Sequence, residues 1–372
     1  MKKILTLSTI TLILVLVALG LNRYRSNKTS LTPYPFIFEN NIYHDIEAKA
    51  PILIIGDRMG QRLASFKDLL SEKLSVNLSK PITIATLAHE GDNIHRTLEK
   101  LRNLSPLPLI IIYIGNTDQA YENLYDTKYL RKIRQNFTLY KNDKFRSLLM
   151  VLPSISRFLY KPIKYTMLSR SIYRDENKYD DPTYQKRMEI QYLLYESALD
   201  ELLNMAKKSA SLVIPITTPL NLEKEPNRSC YGSLSANSKD DIAKLKKLIS
   251  MRDYKGAYTI SKELALINPS HAQILHLHAM VSKKLNYFDQ AQNHGEKAIA
   301  FDCGNKDGNP IFNVILKRLS KQYQYNYFDF HQLITDESQH NPTFLDDIYP
   351  QDVYFNKMIN LISVKIKRRL KL

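Results

Sequence analysis

Five short apolar runs punctuate the chain, at residues 52–55, 82–87, 107–114, 212–217 and 325–330, each bounded by Pro, Gly, Asp or Asn. They are rich in β-branched and aromatic residues and read as strands buried on both faces, the mark of a parallel sheet covered by helices. Helical periodicity at 61–74 and 93–101 supplies the covering layers. The pattern predicts an α/β fold with a doubly wound, five-stranded parallel sheet. Ligands in such sheets bind at the carboxyl ends of the strands, so the residues after each run are the ones to read for chemistry.

The alternation breaks twice. Around Tyr254-Lys255-Gly256-Ala257 and Phe288-Asp289-Gln290-Ala291 the sequence repeats with a period of 34 residues, carrying Ala257 onto Ala291. Leu264 and Ala298 follow those alanines by seven residues, Ala279 precedes Ala291 by twelve, and Pro269 closes the first unit. The arrangement resembles two tetratricopeptide (TPR) helix pairs, in which small residues let antiparallel helices approach closely. Leu245 and Gly295 depart from the small and aromatic residues usual at their positions. Two units rarely stand alone. This all-α, TPR-like insertion (232–303) is therefore expected to lean on the α/β core and to offer a surface to a protein partner; bare amphipathic helices are the plainer alternative. The second break is a basic helical excursion at 120–200. Within 126–174, twelve Lys and Arg stand against Asp126 and Asp143. Interleaved Tyr, Leu and Ile suit contact with anionic lipid or an acidic glycan, as well as an ordinary solvated face.

The 372-residue chain has 44% hydrophobic residues and a formal net charge of +16, so a packed core and an anionic partner or surroundings are expected. Zinc-finger spacing, an RNP-like aromatic motif and a heptad-linked basic region are all missing, and no nucleic-acid partner is expected. Residues 4–21 are uncharged, follow Lys2-Lys3, and are long enough to cross a bilayer as a helix. No A-x-A cleavage site precedes Asn22-Arg23. Segment 1–21 reads as an N-terminal membrane helix, a single-pass transmembrane anchor, or else as a signal; 22–47, with Pro33 and Pro35, reads as a linker. The body is expected to be extracytoplasmic, in the periplasm or at the cell surface. In such an oxidising compartment Cys230 and Cys303, which bracket the helical insertion, are expected to form a disulfide at its base. The core then occupies 48–231 and 304–372.

Four blocks follow strands or stand near the C-terminus. They are Gly56-Asp57-Arg58-Met59, Ala88-His89-Glu90-Gly91, Gly115-Asn116-Thr117-Asp118 and Asp346-Asp347-Ile348-Tyr349-Pro350. In this order they resemble the Gly-Asp-Ser, second-block glycine, Gly-x-Asn-Asp and Asp-x-x-His-Pro blocks of the SGNH (GDSL-type) hydrolases. The resemblance covers 48–225 and 306–372 and implies a sheet of SGNH-hydrolase type. It also implies a catalytic cleft with Asp346 as the orienting acid and Gly91 as an oxyanion donor. Thr117 stands at the oxyanion asparagine position, and Asn116 substitutes for it if the loop shifts by one.

The departures decide the chemistry. Arg58 stands where the family keeps its serine nucleophile, and Tyr349 where it keeps its histidine base. A guanidinium is always protonated and cannot attack a carbonyl. A phenol with an ordinary pKa of about 10 is a poor base at neutral pH. Asp57, Glu90, Asp118 and Asp346 are a candidate carboxylate cluster whose simplest role is to neutralise a buried Arg58. Arg58 can also pair with Asp346 or grip an anionic ligand. His89 and His95 are the candidate replacement bases. Neither metal-ligand spacing nor a cofactor fingerprint occurs, so neither is expected. The leading expectation is a membrane-anchored, envelope-facing protein that has lost hydrolysis and binds or scaffolds an envelope polymer or a protein. Its ligand cleft would comprise Asp57, Arg58, His89, Thr117, Asp118 and Tyr349. The alternative is an active esterase or O-acyltransferase on envelope polysaccharide with a rearranged SGNH site.

Overall fold

The computed structural model describes residues 50–76, 81–104, 106–119, 181–231, 234–305 and 307–370, two short strands at 36–38 and 163–165, and isolated positions at 15 and within 131–148. The chain divides into two units, Met1–His44 with Asp126–Leu168, and Asp45–Tyr125 with Ser169–Leu372. In the first, β1 (Phe36–Phe38) pairs in parallel with β5 (Ile163–Tyr165), so the expected linker 22–47 contributes a strand. Most of the apolar run 4–21 and of the basic stretch 126–174 lies outside the described residues.

The second unit is built on an all-parallel sheet of β2 (Ile52–Gly56), β3 (Ile84–Thr86), β4 (Ile110–Ile114) and β6 (Leu212–Pro215), in the order β3-β2-β4-β6. Every residue of β2 and β4 is buried, as unbroken aliphatic runs require in a sheet covered on both faces. Side chains alternate between the two layers. Ile52 and Ile54 pack with α1 (Arg58–Ala64), α2 (Lys67–Ser75) and α11 (Asp352–Leu370). Leu53 and Ile55 pack with α3 (Ile94–Arg102), α4 (Asp181–Lys208) and α9 (Pro310–Gln322).

Two expectations need correction. The sheet has four strands, not the five of an SGNH-type sheet. The run 325–330 makes a single parallel bridge, Phe328 with Ile216, and then turns into α10 (Phe330–Glu337). Asp329 causes the turn: its side chain accepts the Gln332 amide at 3.3 Å and the Thr217 hydroxyl at 2.8 Å, capping a helix where a strand would continue. The N-terminal membrane helix is likewise not part of the described fold. No helix among the described residues is long and apolar enough to cross a membrane. The longest, α4, runs 28 residues but carries charged side chains along its length. Within the excursion 120–200, α4 lays Leu194, Ala198, Leu202 and their neighbours onto the sheet.

The insertion consists of α5 (Ala236–Ser250), α6 (Tyr254–Ile267), α7 (Ala272–Lys284) and α8 (Phe288–Phe301), each packed on the next. Ala257, Ala279 and Ala298 are buried where the helices meet. The 34-residue period extends to the backbone. Arg252 and Asn286 both take the left-handed conformation (φ 61° and 62°) in the turns before α6 and α8. Gly295, which departs from the repeat, faces the core: a Cβ there would lie 3.1 Å from Leu222 Cβ, so an aromatic ring has no room. The insertion is fastened by a Glu296–His331 pair at 3.1 Å and by the Cys230–Cys303 disulfide across its base, whose Cα atoms are 6.0 Å apart.

Closing a 73-residue separation restricts the unfolded chain by about 4 kcal/mol in the chain-entropy model. Reduction, or Cys230→Ser with Cys303→Ser, is expected to lower thermal stability by an amount of that order. A melt that reductant leaves unchanged would show that the crosslink contributes nothing.

Candidate functional site

The site begins where β2 and β4 end side by side. Gly56 has φ +138°, and any Cβ there would overlap the Ile114 carbonyl; only glycine lets the two strand ends come so close. The next residue, Asp57, caps α1 by accepting the Met59 amide at 2.9 Å. Its Oδ2 accepts the Thr117 amide at 2.5 Å and the Asp118 amide at 2.9 Å, while the Thr117 hydroxyl lies 3.3 Å from Oδ1, the oxygen that accepts Met59. One carboxylate thus joins the ends of β2 and β4.

Asp118 extends the junction to β3. Its Oδ2 accepts the Gly91 amide at 2.8 Å and the Arg58 amide at 3.1 Å, and its Oδ1 accepts Arg58 Nε at 2.5 Å. Arg58 is 6% exposed and Asp118 is fully buried. The guanidinium Nη1 also lies 3.8 Å from Asp307, which pairs with Lys224; Lys224 in turn is 3.9 Å from Asp347. The cleft floor is therefore a chain of alternating charges.

Burial and the neighbouring Asp118 raise Asp57 to about 7, against the backbone donors that pull it down. Asp118 is raised by burial as well, with Arg58 opposing. The Tyr349 phenol is raised by its partial burial, although Arg58 pulls the other way; Glu90, Asp118 and Asp346 add to the rise, so these groups share one field. A raised phenol is a still weaker acid and gains no capacity to act as a base at neutral pH.

The structure gathers Asp57, Arg58, Gly91, Thr117 and Asp118, and leaves other candidates elsewhere. Asn116 turns away from the cleft, donating to Asn313 Oδ1 at 2.8 Å; Asn313 itself binds the Thr218 backbone at 2.9 and 2.8 Å. The Gly91 N–H, the expected oxyanion donor, is already directed at Asp118. Asp346 accepts the Ile348 and Tyr349 amides at 2.8 and 2.6 Å, holding its own turn rather than orienting a side chain. His89 is exposed, and its imidazole is lowered by what burial it has and by Lys100. His95 is pushed down to about 3 by burial on α3. The nearby hydroxyls of Thr117 and Ser65 are held without a histidine: Thr117 faces Asp57, and Ser65 donates to the Arg62 carbonyl at 2.6 Å.

Asp307 and Lys224 lie in loops after the insertion and after β6, with no motif around them, and sequence reasoning missed both. It also missed the buried Lys100–Asp92 pair, although a lysine between Leu98 and Leu101 on an apolar helix face was a visible signal. Beside the cleft a cavity of about 570 Å³ opens between α7, α8 and α10. Leu220, Met280, Phe288 and Phe344 give it an apolar wall, and Asn341 and Asp346 a polar rim. Among the described residues no group of three or more His, Cys, Asp or Glu is placed to hold a metal ion. No family model, curated protein or solved structure matches the chain.

Because Asp57 is raised in the folded state, the fold keeps its neutral form above the ordinary carboxylate range, up to about 7. The resulting contribution to stability is full at low pH and is lost as pH rises through about 7. The difference in melting temperature between wild type and Asp57→Asn is therefore expected to shift in the variant's favour between pH 4.5 and 8. A difference that stays constant across this range would contradict the raised pKa.

Proposed function

We propose that the protein is a non-hydrolytic, SGNH-hydrolase-like binding or scaffolding protein of the cell envelope, serving an envelope polymer or a protein partner. The observation that carries this is the position of Arg58. At the end of the first strand, where a serine nucleophile would stand, a buried guanidinium is fixed through Nε and its own backbone N–H by Asp118. Acyl transfer there needs a nucleophile, a base to take its proton and donors for the oxyanion. Each requirement fails on a named atom. Arg58 cannot attack, the phenol at 349 cannot accept the proton, and the Gly91 N–H and Asn116 Nδ2 point at protein acceptors.

Binding needs less. The cavity beside the cleft combines an apolar wall with convergent polar groups, the usual make-up of a ligand site. It lies where the helical insertion meets the core, so a ligand or peptide there would touch both. The insertion, like a tetratricopeptide pair, adds a helical surface for a protein.

The purified protein is expected to turn over a short-chain aryl ester no faster than buffer. Turnover that Asp346→Asn abolishes would overturn the proposal. Arg58→Ser supplies the missing hydroxyl but leaves Asp118 buried without its cation, which costs about 3–5 kcal/mol. That variant is expected to melt earlier and to remain inactive.

A further inference from the structure

The face opposite the cleft, at the amino ends of the strands, has a one-sided charge. β2, β4 and β6 begin there, and α4, α9 and α11 end there. Contacts join these ends into one surface. Ser211 Oγ donates to the Pro108 carbonyl at 2.7 Å, the Leu212 amide to the Leu109 carbonyl at 2.8 Å, and the Tyr325 hydroxyl to the Ser211 carbonyl at 3.2 Å. Lys207 Nζ sits 5.8 Å from the centre of the Tyr323 ring, and Arg369 Nη2 donates to the Ala210 carbonyl at 3.4 Å.

Segments 103–109, 207–212, 321–327 and 365–370 contain no Asp or Glu. Lys207, Lys208, Lys321, Arg368 and Arg369 are exposed on them, with Lys367 half-buried. The acids one or two turns inward are engaged: Glu99 and Glu201 hold Arg102, and Asp200 accepts the Tyr323 hydroxyl at 2.8 Å. Glu72, a turn before the end of α2, borders the face. Among the cations Leu109 is 61% exposed, and Val76, just after α2, is 57% exposed.

Cations in the last turns of helices also complement the helix dipole, and that alone accounts for lysines at the ends of α4 and α9. It does not account for four segments free of acids, although the sequence leading into β2 carries Asp45 and Glu47, nor for two aliphatic side chains left open beside the charges. We propose that this face docks on an anionic lipid surface, its Lys and Arg meeting headgroup phosphates while Leu109 and Val76 enter the interfacial layer. Lipid is favoured over nucleic acid because exposed aliphatic groups gain from a hydrocarbon boundary and nothing from a phosphate backbone. The chain that carries the apolar run 4–21 joins the described core at Ala50, on this same end. Docking in this way leaves the cleft facing away from the lipid, and it holds whether or not the cleft hydrolyses anything.

The full chain, labelled with an environment-sensitive fluorophore at Leu109→Cys or at Asn341→Cys on the cleft side, tests the orientation with vesicles carrying a lipid-borne quencher. Phosphatidylglycerol–phosphatidylcholine vesicles are expected to quench the label at 109 and spare the label at 341, and phosphatidylcholine alone to quench 109 far less. Lys207→Gln/Lys208→Gln/Arg368→Gln/Arg369→Gln is expected to weaken the quenching at 109 about fivefold for each cation removed. Equal quenching of both labels would overturn the proposal, since the basic stretch 126–174 or the run 4–21 would then be setting another orientation. So would a variant that melts earlier yet is quenched as before, the result expected of cations that only cap helices. Tighter binding to a short DNA duplex than to anionic vesicles, through the same four cations, would replace lipid with nucleic acid.

Discussion

The carboxylate of Asp57 is the joint on which the second unit is assembled. It is fully buried and accepts three backbone N–H groups, one from the helix it caps and two from the end of β4. A buried carboxyl of this kind is tolerable only if its lone pairs are met. The donors can meet them only because Gly56 lets β2 and β4 end in contact. Asp118, delivered by the same turn, repeats the arrangement toward Gly91 and the end of β3. Two carboxylates packed this closely need a cation, and Arg58 is that cation. Arg58, at the position where a serine was expected, thus helps to make the joint electrostatically possible; a serine there would leave Asp118 without its cation.

The insertion and the cleft are mechanically one piece. Asp302, at the end of α8, accepts the backbone N–H groups of Asn227, Arg228 and Gly304, while the disulfide closes beside it. The chain then returns to the core through Asp307, the second carboxylate near Arg58. Two residues later Asn309 caps α9, whose Asn313 holds both Asn116 and the Thr218 backbone. A helical insertion that merely decorated the core would leave the cleft alone. Here the returning loop brings Asp307, four residues after Cys303, to within 3.8 Å of Arg58.

How much of this was visible in the sequence depends on how local each cause is. β2, β4 and β6 were legible because continuous Ile, Leu and Val in a short run leave few alternatives. The run 325–330 has similar composition and still failed as a strand, because Asp329 with Gln332 three residues on is a helix start; the capping signal was there and was outweighed by hydrophobicity. The helix expected at 61–74 is broken at Ser65 and Phe66, where the periodicity barely changes. The sequence offers four carboxylates to neutralise Arg58, Asp57, Glu90, Asp118 and Asp346, and does not choose among them. The strand order β3-β2-β4 puts Gly91, Asp57 and Asp118 side by side, and proximity in the sheet decides the pairing. Asp307 and Lys224 depend on where a long insertion returns, which no short motif records.

Net charge is a poor guide to this molecule's chemistry until it is divided by place. Near the cleft each cation is matched: Arg58 by Asp118, Lys224 by Asp307, Lys100 by Asp92. These pairs are enclosed, so their attraction is little screened by salt, and their purpose is structural order rather than recruitment. A diffusing anionic partner feels only what remains unmatched, and at the described strand ends that surplus lies on the far side of the sheet. At the cleft, where the ion pairs answer one another, recognition falls to shape and hydrogen bonding, while the neighbouring cavity keeps the exposed Lys284 on its lining.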